Sequence, residues 1–176
     1  MSVSNRVDSR LLAIQPDDHV AGAGTAPITV VGYCDFECPY CARAQQVMSR
    51  LLVRHEGRVR YVFRHFPLVH KHPLAEQAAE FAEAAAAQGR FWPIHDFLFT
   101  YQETLDLGDL FTYAGKLGLD VKRIEEEMAR RAYAARVQRD LDGGRRLGVT
   151  GTPTFFLNDM RYQDEDEVAR AVRRAA

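Results

Sequence analysis

Two cysteines, Cys38 and Cys41, stand two residues apart where a β-branched run gives way to a helical pattern. A Cys-x-x-Cys spacing across the first turn of a helix brings the two sulfurs within disulfide-bonding distance with little backbone movement. The free N–H groups and the positive end of the helix dipole favour a thiolate at that turn. The spacing therefore predicts a redox pair. We expect Cys38 to be the exposed nucleophile, with a pKa lowered to roughly 3.5–7.5, and Cys41 to be the resolving thiol.

A third cysteine, Cys34, ends the β-branched run. We interpret it as a buried strand-end residue that behaves as a small hydrophobe, in preference to a regulatory thiol or an alternative partner for Cys38. Cys34, Cys38 and Cys41 also match the Cys-x-x-x-Cys-x-aromatic-Cys signature of radical enzymes, whose three thiolates hold an iron–sulfur cluster. Pro39 and the long helical middle of the chain argue against that alternative, since those enzymes resemble larger barrels of repeating βα units.

Two acids, Asp35 and Glu37, flank the redox pair. Either is a candidate to relay a proton to Cys41, whose pKa we expect to exceed that of Cys38. The other interpretation is that both are solvated acids.

His70 and His72, which follow the second predicted strand and stand close to His65 in the sequence, suggest a metal. We expect His70 and His72 to be solvated loop residues and predict no metal site, because no carboxylate or thiol stands at ligand spacing close by. Trp92 stands among several aromatic residues. Core packing is preferred there over a platform for substrate.

The 176 residues carry 23 basic and 24 acidic side chains. This balance gives no overall attraction to nucleic acid or to anionic membranes, and no apolar run approaches the roughly 20 residues of a membrane span. Residues 1–15 contain no apolar run typical of a secretion signal. We therefore expect a cytoplasmic protein, or a periplasmic one if the chain is a mature fragment. Three cysteines cannot form a disulfide framework, and few cysteines in a cytosolic chain favour catalysis or metal binding over structural disulfides.

The hydrophobic pattern predicts one α/β domain in four parts. They are an N-terminal arm over 1–26, a βαβ half over 27–66, an all-helical insertion over 67–147 and a ββα half over 148–176.

Within the first two parts, we expect a short edge strand near 11–14. Residues 27–33 predict a central strand covered on both faces, because their apolar residues do not alternate with polar ones. A helix is predicted over 41–56. Residues 58–66 alternate and predict a strand with one polar face.

The insertion predicts helices over 74–88, 91–102, 109–117, 121–131 and 133–147, the last of them weakened by Gly143 and Gly144. A strand over 154–157, a hairpin return over 160–162 and a final helix over 164–174 complete the chain.

This order of elements resembles the DsbA-like protein disulfide oxidoreductases, which have a thioredoxin fold with a helical insertion. The resemblance rests on residues 35–41, 64–68, 89–92 with 98–99, and 147–156. It implies a thiol–disulfide oxidoreductase with no bound cofactor and with glutathione as a candidate redox partner. The implied partners are protein or peptide thiols and disulfides, and a reductase or oxidase that recycles the pair. The oligomeric state is left open.

The resemblance also implies a cis proline at Pro153, facing the redox pair. This proline would block metal capture, orient the mixed disulfide and leave the backbone of Thr152 free to pair with substrate. Pro39 and Tyr40 complete the implied site. Because the strong oxidants of the family carry His where this chain has Tyr40, we expect a less oxidising pair.

Two alternatives use the same fold differently. Glutathione transferases of the kappa type and related isomerases resemble the insertion architecture, but they usually carry Ser in place of the nucleophilic Cys or lack the second Cys. A non-catalytic docking module would need neither Cys38 nor Cys41.

Overall fold

A computed structural model describes residues 6–176 of the chain, so the first five residues of the predicted arm lie outside the described part. The strands are β1 (His19–Gly22), β2 (Ile28–Cys34), β3 (Val59–His65), β4 (Thr154–Leu157) and β5 (Met160–Tyr162). The helices are α1 (Pro39–Arg54), α2 (Ala75–Ala86), α3 (Phe91–Thr100), α4 (Leu107–Lys116), α5 (Val121–Ala129), α6 (Ala134–Arg146) and α7 (Glu165–Ala175). The α/β class predicted from the sequence is confirmed.

The five strands form one sheet in the order β1-β3-β2-β4-β5. Strands β2 and β3 are parallel, and the other neighbouring pairs are antiparallel. A parallel pair requires a crossover connection, which α1 supplies. Strand β2 therefore lies in the centre of the sheet, and its carboxyl end delivers the chain directly to the redox pair.

Strand β2 is covered on both faces, as predicted, because six of its seven residues are buried. The polar face predicted for β3 is wrong. Arg64 is only 5% exposed, and its guanidinium donates to the Asp18 carboxylate (2.8 Å) and to the Tyr33 hydroxyl (3.1 Å). A buried arginine needs such partners, so the alternating pattern here reflects a paired charge and not a solvated face.

The edge strand predicted near residues 11–14 is also misplaced. Residues Ser9–Leu12 form a 3-10 helix, capped by the Asp8 side chain. The edge strand is β1, whose His19 to Gly22 pair antiparallel with β3. Gly22 has φ +92°, and a Cβ there would lie 2.6 Å from the Val59 carbonyl oxygen. The edge strand therefore ends at a residue that only glycine satisfies easily.

Buried apolar residues lie on both faces of the sheet. Residues such as Val30, Tyr61 and Phe155 pack with α1, α7 and the insertion. Their strand neighbours, among them Val31 and Phe156, point to a second and smaller cluster. This alternation follows from the two-residue period of a strand.

The helices of the insertion and the C-terminal hairpin agree with the predicted elements to within a few residues. Gly89 follows α2 and Gly118 follows α4, and both have φ +73°, a left-handed conformation that is common just after a helix. Asn158 turns the hairpin with φ +57°. No helix in the described part of the chain is long and apolar enough to cross a bilayer.

Candidate active site

Cys38 occupies the N-cap of α1, Pro39 follows in the first helical positions, and Cys41 lies in the first turn. Proline suits that position because its missing N–H has no partner within the helix. All three cysteines are free thiols. Cys38 is 3% exposed and Cys41 is fully buried, so the exposed nucleophile expected from the sequence is instead a recessed one.

The loop before β4 faces this pair. The peptide bond between Thr152 and Pro153 is cis, and the Cys38 thiol donates to the backbone carbonyl oxygen of Thr152 across 3.4 Å. The two residues are 114 positions apart in the chain. They meet because β4 pairs with β2, whose end leads into the redox segment.

The pKa of the Cys38 thiol is raised, which contradicts the lowered value expected from the helix start. The hydrogen bond with the Cys41 thiol is the largest cause, burial adds to it, and an interaction with Thr152 partly offsets both. In this reduced pair, the neighbouring thiol and the loss of solvent outweigh the hydrogen bonds that favour the thiolate, including one from the Cys41 backbone N–H. The pKa of Cys41 is also raised, chiefly by burial and then by contact with the Cys34 thiol.

Tyr40 is the exposed member of the redox segment. Its side chain is 58% exposed, and the Arg43 guanidinium lies 4.9 Å from its ring centre. This is a cation–π contact on the helix surface. Tyr40, which lies between the two cysteines in the sequence, therefore exposes an aromatic ring to solvent.

Asp35 is not the solvated acid that one interpretation expected, because it is 1% exposed. One carboxylate oxygen accepts a hydrogen bond from the Glu37 backbone N–H (2.8 Å). The other accepts from the Leu68 N–H and from Nδ1 of His72, both at 2.8 Å. His72 is therefore a partner of a buried carboxylate, which corrects its expected place among solvated loop residues.

Glu37 is half-buried and ties the redox segment to the insertion, since its carboxylate accepts from the Leu74 backbone N–H at the start of α2 (2.8 Å). Gln102, which the sequence analysis did not single out, donates to the carbonyl oxygens of Phe36 (2.7 Å) and Cys38 (2.9 Å). A glutamine just after a helix carries no sequence signal for such a role. Together these side chains hold the backbone on both sides of Cys38.

Cys34 is buried, as expected, with 1% exposure. Its surroundings are nevertheless polar. Its sulfur accepts a hydrogen bond from the Gln45 amide (3.2 Å) and lies 3.6 Å from the Tyr61 hydroxyl. The description of Cys34 as a small hydrophobe is therefore incomplete.

His65 has a carboxylate neighbour that the sequence analysis missed. Nε2 of His65 and Nε2 of His19 both donate to the same Glu83 oxygen at 2.7 Å. These three side chains form a compact group with metal-ligand atoms. The Arg136 guanidinium lies 3.9 Å from that oxygen, and its positive charge disfavours a metal ion at this position. We therefore assign the group as an ion-pair network that joins the sheet to the insertion. His70, by contrast, is exposed as expected.

Trp92 packs against Phe91, His95 and Tyr61 in the aromatic core. This agrees with the packing role preferred from the sequence. It also leaves one side of the half-buried ring on a surface cavity that is described below.

A central strand that leads into Cys-x-x-Cys at a helix start, opposite a cis-proline loop, defines a thioredoxin-like dithiol domain. Residues 15–174 match the family described as Thioredoxin, and the chain belongs to that family. The radical enzymes, the disfavoured alternative for the three cysteines, resemble barrels of repeating βα units, whereas the described part of this chain forms a five-stranded mixed sheet.

Solved structures agree on the fold. The chain is similar to a thioredoxin-like oxidoreductase from Silicibacter pomeroyi, with 27% identity, a TM-score of 0.81 and 96% of each chain covered. It shares its fold with alpha-DsbA1 from Wolbachia pipientis, at 20% identity, a TM-score of 0.81 and coverage of 96% and 95%. BdbD from Bacillus subtilis is similar at 24% identity and a TM-score of 0.78, covering 89% and 91%.

Curated relatives are much longer proteins. The chain is 47% identical over 163 residues to Na(+)/H(+) antiporter NhaA 3 of Salinispora tropica, covering 92% of this chain and 25% of that protein. It is 44% identical over 146 residues to Na(+)/H(+) antiporter NhaA of Herminiimonas arsenicoxydans, covering 83% and 23%. The chain therefore spans about a quarter of the length of these relatives.

Proposed function

We propose that this chain is a protein thiol–disulfide oxidoreductase that works through Cys38 and Cys41. The observation that carries the proposal is the placement of two free thiols at the N-cap and in the first turn of α1. The Thr152 carbonyl oxygen lies 3.4 Å from the Cys38 sulfur, on the loop that would meet a substrate chain. No bound cofactor is required, and glutathione is a candidate redox partner.

In the reductive direction, the Cys38 thiolate attacks one sulfur of a substrate disulfide, and the other substrate sulfur leaves as a thiolate. The Cys41 thiolate then attacks the Cys38 sulfur of the mixed disulfide and releases the second substrate thiolate. The substrate gains two electrons, and Cys38 and Cys41 become a disulfide. The same steps in reverse transfer a disulfide to the substrate, and a partner reductase or oxidase restores the starting state.

A redox titration tests the proposal. The protein is equilibrated across glutathione buffers, its free thiols are alkylated, and the modified residues are mapped by mass. We expect Cys38 and Cys41 to titrate together, separately from Cys34. A midpoint above about −200 mV indicates an oxidant or isomerase, and one near about −270 mV a reductase.

The matched variant is Cys38→Ser, which should lose all disulfide exchange with a reduced or oxidised peptide. Full dithiol activity in that variant would overturn the proposal. Retention on immobilised glutathione without dithiol turnover would instead favour the kappa-type alternative.

The match to the antiporter relatives supports a proposal for the substrate of this thiol–disulfide exchange. About a quarter of each relative matches this chain, so we propose that its substrate is a cysteine-containing segment of a Na(+)/H(+) antiporter. We place this exchange in the cytoplasm, where protein disulfides are mostly transient. Cys41→Ser should trap a mixed disulfide on Cys38 that can be identified by mass. The Cys38→Ser/Cys41→Ser variant is its control, and trapping of unrelated proteins alone would refute the proposed partner.

A further inference from the structure

A polar network lies in the core against the buried resolving cysteine. It consists of Gln45 on α1, Tyr61 on β3 and Cys34 at the end of β2, which are 8%, 1% and 1% exposed. The Gln45 amide donates one hydrogen bond to the Cys34 sulfur (3.2 Å) and one to the Tyr61 hydroxyl oxygen (3.0 Å). The Tyr61 hydroxyl lies 3.6 Å from the Cys34 sulfur.

The fold makes room for this network at a cost in local packing. Gly32 of β2 lies beside the phenol, and a Cβ at that position would come within 2.5 Å of the Tyr61 hydroxyl oxygen. A glycine in a central strand contributes no side chain to the core. Here it leaves the space that the hydroxyl group fills.

The Cys34 side chain lies beside the redox pair. The Cys41 sulfur accepts a hydrogen bond from the backbone N–H of Asp35, the residue after Cys34, at 3.5 Å, and both cysteines lie in the same buried cluster. Cys41 is fully buried, and it must lose a proton before it can attack the mixed disulfide. The Asp35 carboxylate is already occupied by two backbone N–H groups and His72. Its direct contact with Cys41 is through its backbone N–H, at 3.5 Å, and not through a carboxylate oxygen.

The other end of the network reaches the surface. Gln45 and Tyr61 line a cavity of about 210 Å³ between α1 and α3. Its rim includes the exposed residues Ser49 and Asp96. The ionisable groups that α3 contributes to the cavity are Asp96 and the buried His95.

We propose that Cys34 and Tyr61 form a proton relay between Cys41 and this cavity, with Gln45 as the positioning residue; the inference rests on the proposed function. Because Gln45 donates to both the sulfur and the phenol oxygen, the thiol and hydroxyl hydrogens remain available for the relay. As Cys41 is activated, its proton passes to the Cys34 sulfur, the Cys34 proton to the Tyr61 oxygen and the Tyr61 proton to solvent in the cavity.

The bond changes balance without a further reactant. A bond forms between the sulfurs of Cys41 and Cys38, and the bond between Cys38 and the substrate sulfur breaks. The substrate sulfur leaves with the electron pair as a thiolate. The relay therefore lets the proton leave on the side of α1 away from a substrate bound at Cys38.

Ellman's reagent, a small aromatic disulfide, separates the two steps. Attack by Cys38 releases the first coloured thiolate, and resolution by Cys41 releases the second. We expect Cys34→Ala and Tyr61→Phe to leave the first rate unchanged and to slow the second by about 100-fold. The loss should shrink as pH rises, because hydroxide then removes the Cys41 proton directly.

Two further variants sharpen the test. Cys34→Ser keeps a hydroxyl that can pass a proton but cannot form a disulfide, and it should restore most of the second rate. Tyr33→Phe removes a buried hydroxyl on β2 that is bonded to Arg64, so both rates should stay unchanged. An unchanged first rate in each variant also shows that the site has folded.

A second rate that is unaffected in Cys34→Ala and Tyr61→Phe would overturn the relay while leaving the dithiol function intact. A second rate as slow in Cys34→Ser as in Cys34→Ala would also overturn it, and would show that Cys34 acts through its sulfur chemistry. If wild-type protein releases no second thiolate, or Cys38→Ser still releases both, the proposed function itself fails.

Discussion

The Cys38 thiol and the Thr152 carbonyl oxygen are joined by a 3.4 Å hydrogen bond, which connects the two halves of the fold at the redox site. When Cys38 is part of a mixed disulfide it no longer carries this hydrogen. The Thr152 carbonyl is then available to accept from the backbone N–H of a substrate, as an added strand would require. The Thr152 carbonyl oxygen that accepts from the Cys38 thiol in the free protein therefore becomes an acceptor for the substrate backbone once the mixed disulfide has formed.

We predict that Cys41→Ala lowers the pKa of Cys38. The hydrogen bond with the Cys41 thiol is the largest cause of the raised value, so its removal leaves burial as the main opposing effect. The reaction of Cys38 with iodoacetamide, followed against pH, should reach half its maximum at a lower pH than in wild-type protein.

The control for this experiment is Gln46→Ala, an exposed change on the same helix, which should leave the Cys38 profile unchanged. Peptide mapping assigns the reacted cysteine in every sample. A profile that moves to higher pH in Cys41→Ala would show that the neighbouring thiol stabilises the thiolate, contrary to the prediction.

The parts of the fold that the sequence predicted are those set by local patterns. The run that forms β2, the helix start at Cys38 and the turn before β4 each depend on residues within one short segment. Arg64 shows where this reasoning ends. Its partner Asp18 is 46 positions away, so an alternating strand with a paired arginine cannot be distinguished from one with a solvated face.

The residues of the candidate site also divide into those set by local spacing and those set by tertiary contacts. Cys38 and Cys41 were predictable because their chemistry depends on spacing within one helical turn. The hydrogen bond between Asp35 and His72 spans 37 positions, and that between Cys34 and Tyr61 spans 27. Such contacts depend on tertiary packing, which a single sequence does not specify.

Glu83 is the centre of the ion-pair network between the sheet and the insertion. We predict that Glu83→Gln lowers the free energy of unfolding by about 3 kcal/mol at pH 7, because His19 and His65 both donate to the same carboxylate oxygen and the weaker amide acceptor leaves these buried and part-buried donors poorly satisfied. Urea denaturation followed by circular dichroism measures the difference. Glu126→Gln, an exposed change on α5, should fall within about 0.5 kcal/mol of wild type.

The same carboxylate should govern part of the acid stability. Burial opposes the ionised form of Glu83, but hydrogen bonds from His19 and His65 outweigh it and lower its pKa well below the ordinary 4.5. A carboxyl group with a lowered folded-state pKa stabilises the protein above its unfolded pKa, and that stability is lost as the pH falls.

The difference in unfolding free energy between wild type and Glu83→Gln should therefore shrink as the pH is lowered below 4.5. Denaturation curves at pH 7, 4.5 and 3 give this difference directly. A gap that stays constant over this range would mean that the Glu83 pKa is unchanged by folding.

Asp35 is predicted to be an anchor of the loop after β3 and not the acid–base group of Cys41. Asp35→Asn should lower the free energy of unfolding by about 1–3 kcal/mol, since the amide cannot satisfy every N–H that the buried carboxylate accepts. The rate at which Cys41 resolves a mixed disulfide should fall far less than in Tyr61→Phe. A loss of resolution rate with unchanged stability would return Asp35 to the relay role considered from the sequence.

Gly143 and Gly144 should respond oppositely to the same substitution. A Cβ at Gly144 would lie 2.7 Å from the Phe66 ring and 3.0 Å from the Tyr33 ring. Such overpacking costs about 1–3 kcal/mol, which exceeds the gain of about 1 kcal/mol from alanine in a helix. At Gly143 the nearest atom is the Tyr33 hydroxyl oxygen at an ordinary 3.4 Å, so the gain from helix propensity should remain.

We therefore expect Gly144→Ala to lower, and Gly143→Ala to raise, the midpoint of thermal unfolding. Equal stabilisation by both changes would mean that Phe66 moves away without cost and that Gly144 is not required by the packing of α6 on the sheet.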